Sequence, residues 1–319
     1  MHADLPPSLC REGDLMLRSL VKDLAELDGV ELVVSRDARL PVDGLPATVV
    51  PVGATDDPWL IWRHLIQEAD VTWAIAPETD GLLERLVGLV RESGRKPLAC
   101  RPDALRLCAS KSATALHLMA HAIPVVPTRP LSLAAIDEFG DGAAGWVVKP
   151  DDGAGAEGAR LVKSREALID LCRQADAKRQ ILQPYVAGVA ASLSLLCCDG
   201  NVRLLSCNRQ DVVISDGCFH YAGWLVGGLE ARRDRYEPIA AAVAAAIPGL
   251  WGYVGIDLID DSNGPLVLEI NPRLTTTYAA LRDAIGINPA QLILGLGQGG
   301  APAALPPVTA RPLMIAGHV

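Results

Sequence analysis

Two strands and a short turn toward the C-terminal end constrain this chain more than any other stretch. Residues 252–259 (Gly-Tyr-Val-Gly-Ile-Asp-Leu-Ile) and 265–270 (Pro-Leu-Val-Leu-Glu-Ile) read as strands, and Asp260-Asp-Ser-Asn-Gly264 between them is turn chemistry. A hairpin symmetric about Asn263 sets Asp257 directly opposite Glu269, and period-two alternation puts Asn271 on the same face. Ile256, Leu258, Leu268 and Ile270 then form the opposite, core face. Two carboxylates facing each other across a ladder repel by ~0.2–1 kcal/mol unless a cation lies between them. An oxygen-only Asp/Glu/Asn set suits Mg²⁺, usually shared with substrate phosphates. Arg273 adds a fixed positive fork beside it. The hairpin therefore reads as a site for phosphate chemistry.

A chain of 319 residues has room for two or three domains with buried cores. Its 29 Lys and Arg against 38 Asp and Glu leave a net charge of −9, which argues against nucleic acid as a partner. No apolar stretch reaches the ~18–20 residues of a membrane span. The start, Met1-His-Ala-Asp-Leu-Pro-Pro, has neither the basic nor the apolar region of a signal peptide. Eight cysteines include no Cys-x-x-Cys, so the expected setting is a reducing cytoplasm, without zinc or disulfide framework. His117 and His121 share a helix face but lack a carboxylate or cysteine partner, and read as ordinary histidines. Cys207 and Cys218 read as buried thiols.

Along the chain, a helix over 14–27 precedes strands at Val30–Ser35, Thr48–Val52, Val71–Ala76 and Pro97–Ala99, with helices near Trp59–Glu68 and Asp80–Ser93. This alternation predicts an α/β fold that opens with a mostly parallel β/α domain over 1–108. That unit lacks a strand before its first helix. A small α+β lobe is expected over 109–186: helices Ser110–Ala120, Leu133–Phe139 and Ser164–Gln174, and strands Trp146–Pro150, Ala159–Val162 and Gln180–Leu182. A third unit over 187–319 holds strands Ala191–Cys198 and Arg203–Gln210, a loop through Asp216–Gly223 and a helix over 235–247. The opening hairpin, a helix over 288–296 and a surface tail over 297–312 complete it.

Several residues can carry chemistry. Lys149 ends a strand and precedes Pro150-Asp-Asp-Gly-Ala-Gly-Ala-Glu-Gly158, where Gly153, Gly155 and Gly158 let backbone amides close over phosphate oxygens. A plain glycine-rich hairpin turn explains that stretch equally well. Lys111 stands at a helix start, where anions are favoured. Gln183-Pro-Tyr-Val-Ala-Gly188 is an extended link in which a purine ring fits, or simply a domain linker. Asp151 and Asp152 are either ligand contacts or loop initiators. Arg209, in a polar Asn-Arg-Gln run after Leu204-Leu205, suits a cleft wall that contacts a phosphate or acyl phosphate. Thr275–Tyr278 line an acceptor pocket or cap a helix.

The order of these elements resembles the ATP-grasp superfamily over roughly residues 98–290, with Glu269-Ile-Asn-Pro-Arg273 as its most specific piece. The resemblance implies two α+β lobes clasping ATP behind an N-terminal β/α domain. It implies that Lys111 and Lys149 hold the nucleotide phosphates under a lid of residues 151–158. Gln183, Tyr185 and Val186 would contact adenine, and Asp257, Glu269 and Asn271 would bind Mg²⁺, as one ion or two, with Mn²⁺ as a substitute. Arg273 would steady the transferred phosphoryl group. Ala190 stands where many members carry a ribose-binding Glu.

Glu12-Gly-Asp-Leu-Met-Leu-Arg-Ser-Leu, Ala76-Pro-Glu-Thr-Asp80, Ala191-Ser-Leu-Ser-Leu-Leu, Asn208-Arg-Gln210 and Glu269-Ile-Asn-Pro-Arg-Leu-Thr-Thr-Thr-Tyr278 further resemble the tyramine–glutamate ligases of methanofuran biosynthesis. That subfamily also lacks the ribose Glu. It normally opens with a strand and loop ahead of the first helix, so either the start codon is set late, which is the favoured expectation, or the first strand is lost. The implied reaction joins glutamate to tyramine, or to tyrosine in a bacterial furan pathway, through an acyl phosphate. A small-molecule enzyme of this kind, a cytoplasmic homodimer, is the expected assembly. An ATP-grasp ligase making another amide, and a non-catalytic nucleotide-binding protein, are the competing readings.

Overall fold

The computed structural model describes residues 5–140, 144–153, 155–174, 177–297 and 310–317. Its N-terminal part runs α1 (Pro7–Ala25), β1 (Val33–Asp37), β2 (Thr48–Val52), α2 (Pro58–Glu68), β3 (Val71–Thr72), α3 (Leu82–Glu92), β4 (Lys96–Pro97) and α4 (Pro102–Ala109). The alternation expected from the sequence is present, and its strands pair in parallel. They form two separate ladders, β1 with β2 and β3 with β4, rather than one continuous sheet. Helix α4, not anticipated, fills the link to α5 (Lys111–Ala120). Pro102 sits at its first turn, where a missing N–H costs nothing, and Asp103 follows.

The small lobe comprises β5 (Arg129–Pro130), α6 (Leu133–Phe139), β6 (Trp146–Pro150), β7 (Arg160–Val162), α7 (Arg165–Cys172) and β8 (Gln180–Pro184). Trp146, Val148 and Leu182 pack on Ile136 and Leu168 of the two helices. The large lobe holds β9 (Val189–Cys198), β10 (Asn201–Ser215), β11 (Cys218–Val226), α8 (Arg233–Ala246), β12 (Gly252–Asp260), β13 (Pro265–Asn271), α9 (Tyr278–Ile285), α10 (Pro289–Leu296) and β14 (Leu313–Ala316). Strand order β13-β12-β9-β10-β11-β7-β6-β8-β5 makes one sheet across both lobes, with β14 paired to β11.

Two expectations for this region need correction. Residues 218–223 are not loop but the first two thirds of β11. Asp216 and Gly217 both have positive φ (51° and 77°), the geometry of an Asp-Gly hairpin turn, so β10 runs straight back into β11. The tail expectation falls largely on 298–309, outside the described residues. Ala310 beyond it is buried, and Leu313–Ala316 is a strand rather than a surface extension.

The sheet's two faces are covered differently, and this positions the site. On β9, Ala191, Leu193, Leu195 and Cys197 point into a core shared with α4 and α8. Leu196 and Cys198 point the other way, into a core built with α1, α9 and α10. That second core covers only the Cys198 end of the strand. Toward Ala190 the same face is left open to a cleft between the lobes.

Candidate active site

The cleft encloses a cavity of about 430 Å³, within the usual range for small-molecule sites. Asp257 of β12 and Glu269 of β13 stand opposite each other on its floor. The pairing matches the sequence reading, but not the simple symmetry behind it. Beyond the turn, Asp260 pairs with Pro265 and Leu258 with Val267; a bulge at Leu268 then restores the register at Asp257 and Glu269. The bulge also turns Leu268 out of the core face expected for it. Val267 takes the buried place, and Leu268 lines the cavity.

Charge is divided across the cavity. Glu269 receives Lys111 Nζ at 3.2 Å, and Lys111 also donates to the carbonyl of Gly153 in the glycine loop. Lys149 lines the same wall without a hydrogen-bond or ion-pair partner among the described residues. Burial, with Lys111 adding its like charge, brings its ammonium down to about 8. Burial works against ionisation of Glu269, but Lys111 and Lys149 outweigh it and hold that carboxyl well below its ordinary range. Asp257 is pushed the other way, first by burial and then by Glu269. Among the described residues its two oxygens accept from neutral donors, Gln210 Nε2 at 2.8 Å and Asn271 Nδ2 at 3.1 Å. An acidic pair with one member short of positive charge, beside the amide of Asn271, fits a divalent cation such as Mg²⁺. Two lysines on the facing wall fit a polyanion.

The other anticipated residues are distributed unevenly. Tyr185 and Val186 line the cavity. Gln183 lines it too, and its buried side chain donates to Thr128 Oγ1 at 2.8 Å. Gly153 also lines it, whereas Gly155 and Gly158, both at positive φ, shape the loop from outside the lining. Asp151 locks the start of α5, accepting from Ser110 Oγ at 2.7 Å and the Ser112 amide at 2.8 Å. Asp152 pairs with Arg179. Arg209 borders the cavity but is held by Asp211 at 2.9 Å. Arg273 follows the metal candidates on the chain but is not among the residues lining the cavity; its Nε is 2.9 Å from buried Glu78 of the N-terminal part.

Thr275–Tyr278 are neither cap nor open pocket wall. Thr275 and Thr277 hydrogen-bond to the hydroxyl of Tyr253, and Thr276 donates to Glu12. Gly255 permits this approach, since a Cβ there would lie 2.6 Å from Thr275 Cγ2. The rings of His117 and His121 bond backbone carbonyls of Ala246 and His117. Burial pushes the Cys207 thiol up to about 12.

Sequence alone does not give Gln210 as a partner of Asp257, although it lies in the polar run Asn208-Arg-Gln210. Nor does it give an apolar wall of Val212, Ile214, Phe219 and Tyr221. That wall is the β10–β11 hairpin, whose signal was the unrecognised Asp216-Gly217 turn.

The ATP-grasp domain family matches residues 108–277, and the pre ATP-grasp 3 domain family matches residues 30–105. The chain belongs to the ATP-grasp family. Among curated relatives, a tyramine–L-glutamate ligase from Methanocaldococcus jannaschii is 25% identical over 278 residues, covering 86% of this chain and 80% of the relative. Among solved structures, an ATP-grasp superfamily protein from Archaeoglobus fulgidus aligns with a TM-score of 0.68 at 23% identity, covering 92% of this chain and 84% of that one. The L-amino acid ligase from Bacillus licheniformis gives 0.68 at 18%, covering 88% and 71%. At these identities the structural likenesses establish the ATP-grasp fold itself. No helix among the described residues of this ATP-grasp chain is long and apolar enough to cross a membrane.

Proposed function

We propose that this protein is an ATP-dependent carboxylate–amine ligase that forms an amide through an acyl phosphate. Its substrates are L-glutamate and tyramine or tyrosine, in the furan-cofactor biosynthesis that the sequence resemblance implies. The observation that carries the reading is the complementary charge of one cavity: two lysines on one wall and two opposed carboxylates on its floor. A polyphosphate and a divalent cation each answer one half of that arrangement.

Asp257, Glu269 and Asn271 would hold Mg²⁺, which when bound supplies charge neutralisation to the phosphates. Lys111 and Lys149 hold phosphate oxygens, while Tyr185, Val186 and the β10–β11 wall surround the base. Gln210 orients Asp257 through its amide. Arg273, kept in place by Glu78, presents its fork to the transferred phosphoryl group and then to the oxyanion formed when the amine attacks. Arg209 turns to the acyl phosphate after releasing Asp211. The glycine loop, drawn down by Lys111 through the Gly153 carbonyl, excludes the water that would hydrolyse that intermediate. No side chain acts as a nucleophile; positioning and electrostatics supply the rate.

Coupled ADP-release assays across amino acids and arylamines test this reading. Turnover is expected only when a carboxyl substrate and an amine are both present. ADP release at the same rate without amine would overturn it.

A further inference from the structure

Helix α1 brings Glu12 to Thr276, just beyond Arg273, and to the glycine loop, at the edge of the cavity rather than in its lining. Glu12 Oε2 accepts from Thr276 Oγ1 at 2.9 Å, three residues beyond Arg273, and its Oε1 accepts from Ser8 Oγ at 3.2 Å. A side chain at Gly155 would begin 3.9 Å from that same Oε1, so the glycine loop lies against it. Tyr221 of the cavity wall has its phenol pushed well up, by burial first and then by the charges of Asp257, Glu269 and Glu12.

Glu12 has no cationic partner among the described residues: Lys111 pairs with Glu269 and Arg273 with Glu78, while Lys149, without a partner among the described residues, lies in the cavity lining, to which Glu12 does not belong. It lies in the second turn of α1, beyond the part of the helix where the N-terminal partial charge acts. It is partly exposed, whereas Glu78 is buried and committed to Arg273. A fixed, uncompensated carboxylate at the edge of a site built for anions needs a cation from elsewhere. The phosphates and the reacting carboxyl group engage the lysines and Arg273. The remaining charged group on an amino acid or a primary amine is its ammonium.

We propose that Glu12 anchors a primary ammonium group of an organic substrate, oriented by Ser8 and Thr276 and covered by the glycine loop. This rests on the ligase reading above. The ammonium belongs either to the amino acid whose carboxyl is activated or to the acceptor amine, and a charge-assisted hydrogen bond to carboxylate serves both.

The test is calorimetric titration of the full-length protein saturated with Mg²⁺ and a non-hydrolysable ATP analogue, using L-glutamate and tyramine separately. Glu12→Gln is expected to weaken one of them at least tenfold while the analogue's affinity stays within twofold; Glu12→Asp should recover part of the loss. Weakening for L-glutamate assigns its α-ammonium to Glu12, and weakening for tyramine assigns the acceptor. Unchanged binding of both, or binding of neither by the unaltered protein, overturns the proposal. So does a Glu12→Gln protein that loses analogue affinity and melts early, because the residue is then structural. Failure of the ligase reading looks different: both ligands bind, yet no ADP is released.

Discussion

Two aspartates three residues apart on β12 show how one strand serves two purposes. Asp260 points to the helix-covered side, is 3% exposed, and meets Arg232 at 2.6 Å, Arg235 at 3.0 Å and the Tyr236 hydroxyl at 2.9 Å. Asp257 points into the cleft and meets two neutral amides and another carboxylate. The protein supplies Asp260 with its own counter-charge, so that residue belongs to the scaffold. It withholds counter-charge from Asp257, so that residue is set for a cation from solution. A buried acid is read from its partners, not from its burial.

The sharpest way to break this contrast is Asp257→Asn. ADP release is expected to fall by on the order of 10²–10³-fold, while thermal unfolding moves little, since a carboxyl that resists ionisation is lost. A large drop in melting temperature would show that Asp257 is scaffold after all. Lys149→Met tests the opposite wall. It removes one charge-assisted contact to phosphate, so ATP affinity should fall by roughly ten- to a hundredfold, measured by calorimetry without Mg²⁺.

Asp260→Asn should invert the pattern. Stability is expected to drop by about 1–3 kcal/mol in urea unfolding as Tyr236 and the two arginines lose the charged carboxylate and one of its two acceptor oxygens, with ATP affinity unchanged in the folded fraction. An intact melt with impaired ATP binding would erase the distinction. The smallest expected effect is on pH. Because burial depresses the Lys149 ammonium to about 8, its charge is present below that pH and lost above it. Metal-free ATP affinity should therefore weaken as pH rises from 7 to 9.5, and the Lys149→Met protein should show a flatter profile over the same window.

Much of the candidate site was legible because it depends on short spacings. Turn chemistry at 260–264 set Asp257 against Glu269, and a lysine at a helix start and one at a strand end marked the facing wall. The bulge at Leu268 was not legible, because a one-residue insertion leaves no compositional trace when the extra residue is another leucine. The β11 strand escapes a sequence reading for a local reason: Asp216-Gly217 reads as part of a loop, whereas it is a hairpin turn. The break in the N-terminal sheet was beyond reach, since which strands share a ladder is a property of pairing rather than of any one segment.

The chain by itself determined its ATP-grasp membership, the acidic pair and the two lysines, because turns, alternation and helix starts are encoded within a few residues. Only the tertiary structure decided that Gln210 holds Asp257, that Glu78 holds Arg273 across 195 residues, and that Glu12 meets Thr276 across 264. Those contacts join elements from different parts of the fold. Side-chain partners at such separations are set by how sheets and helices pack, and no local periodicity records that packing.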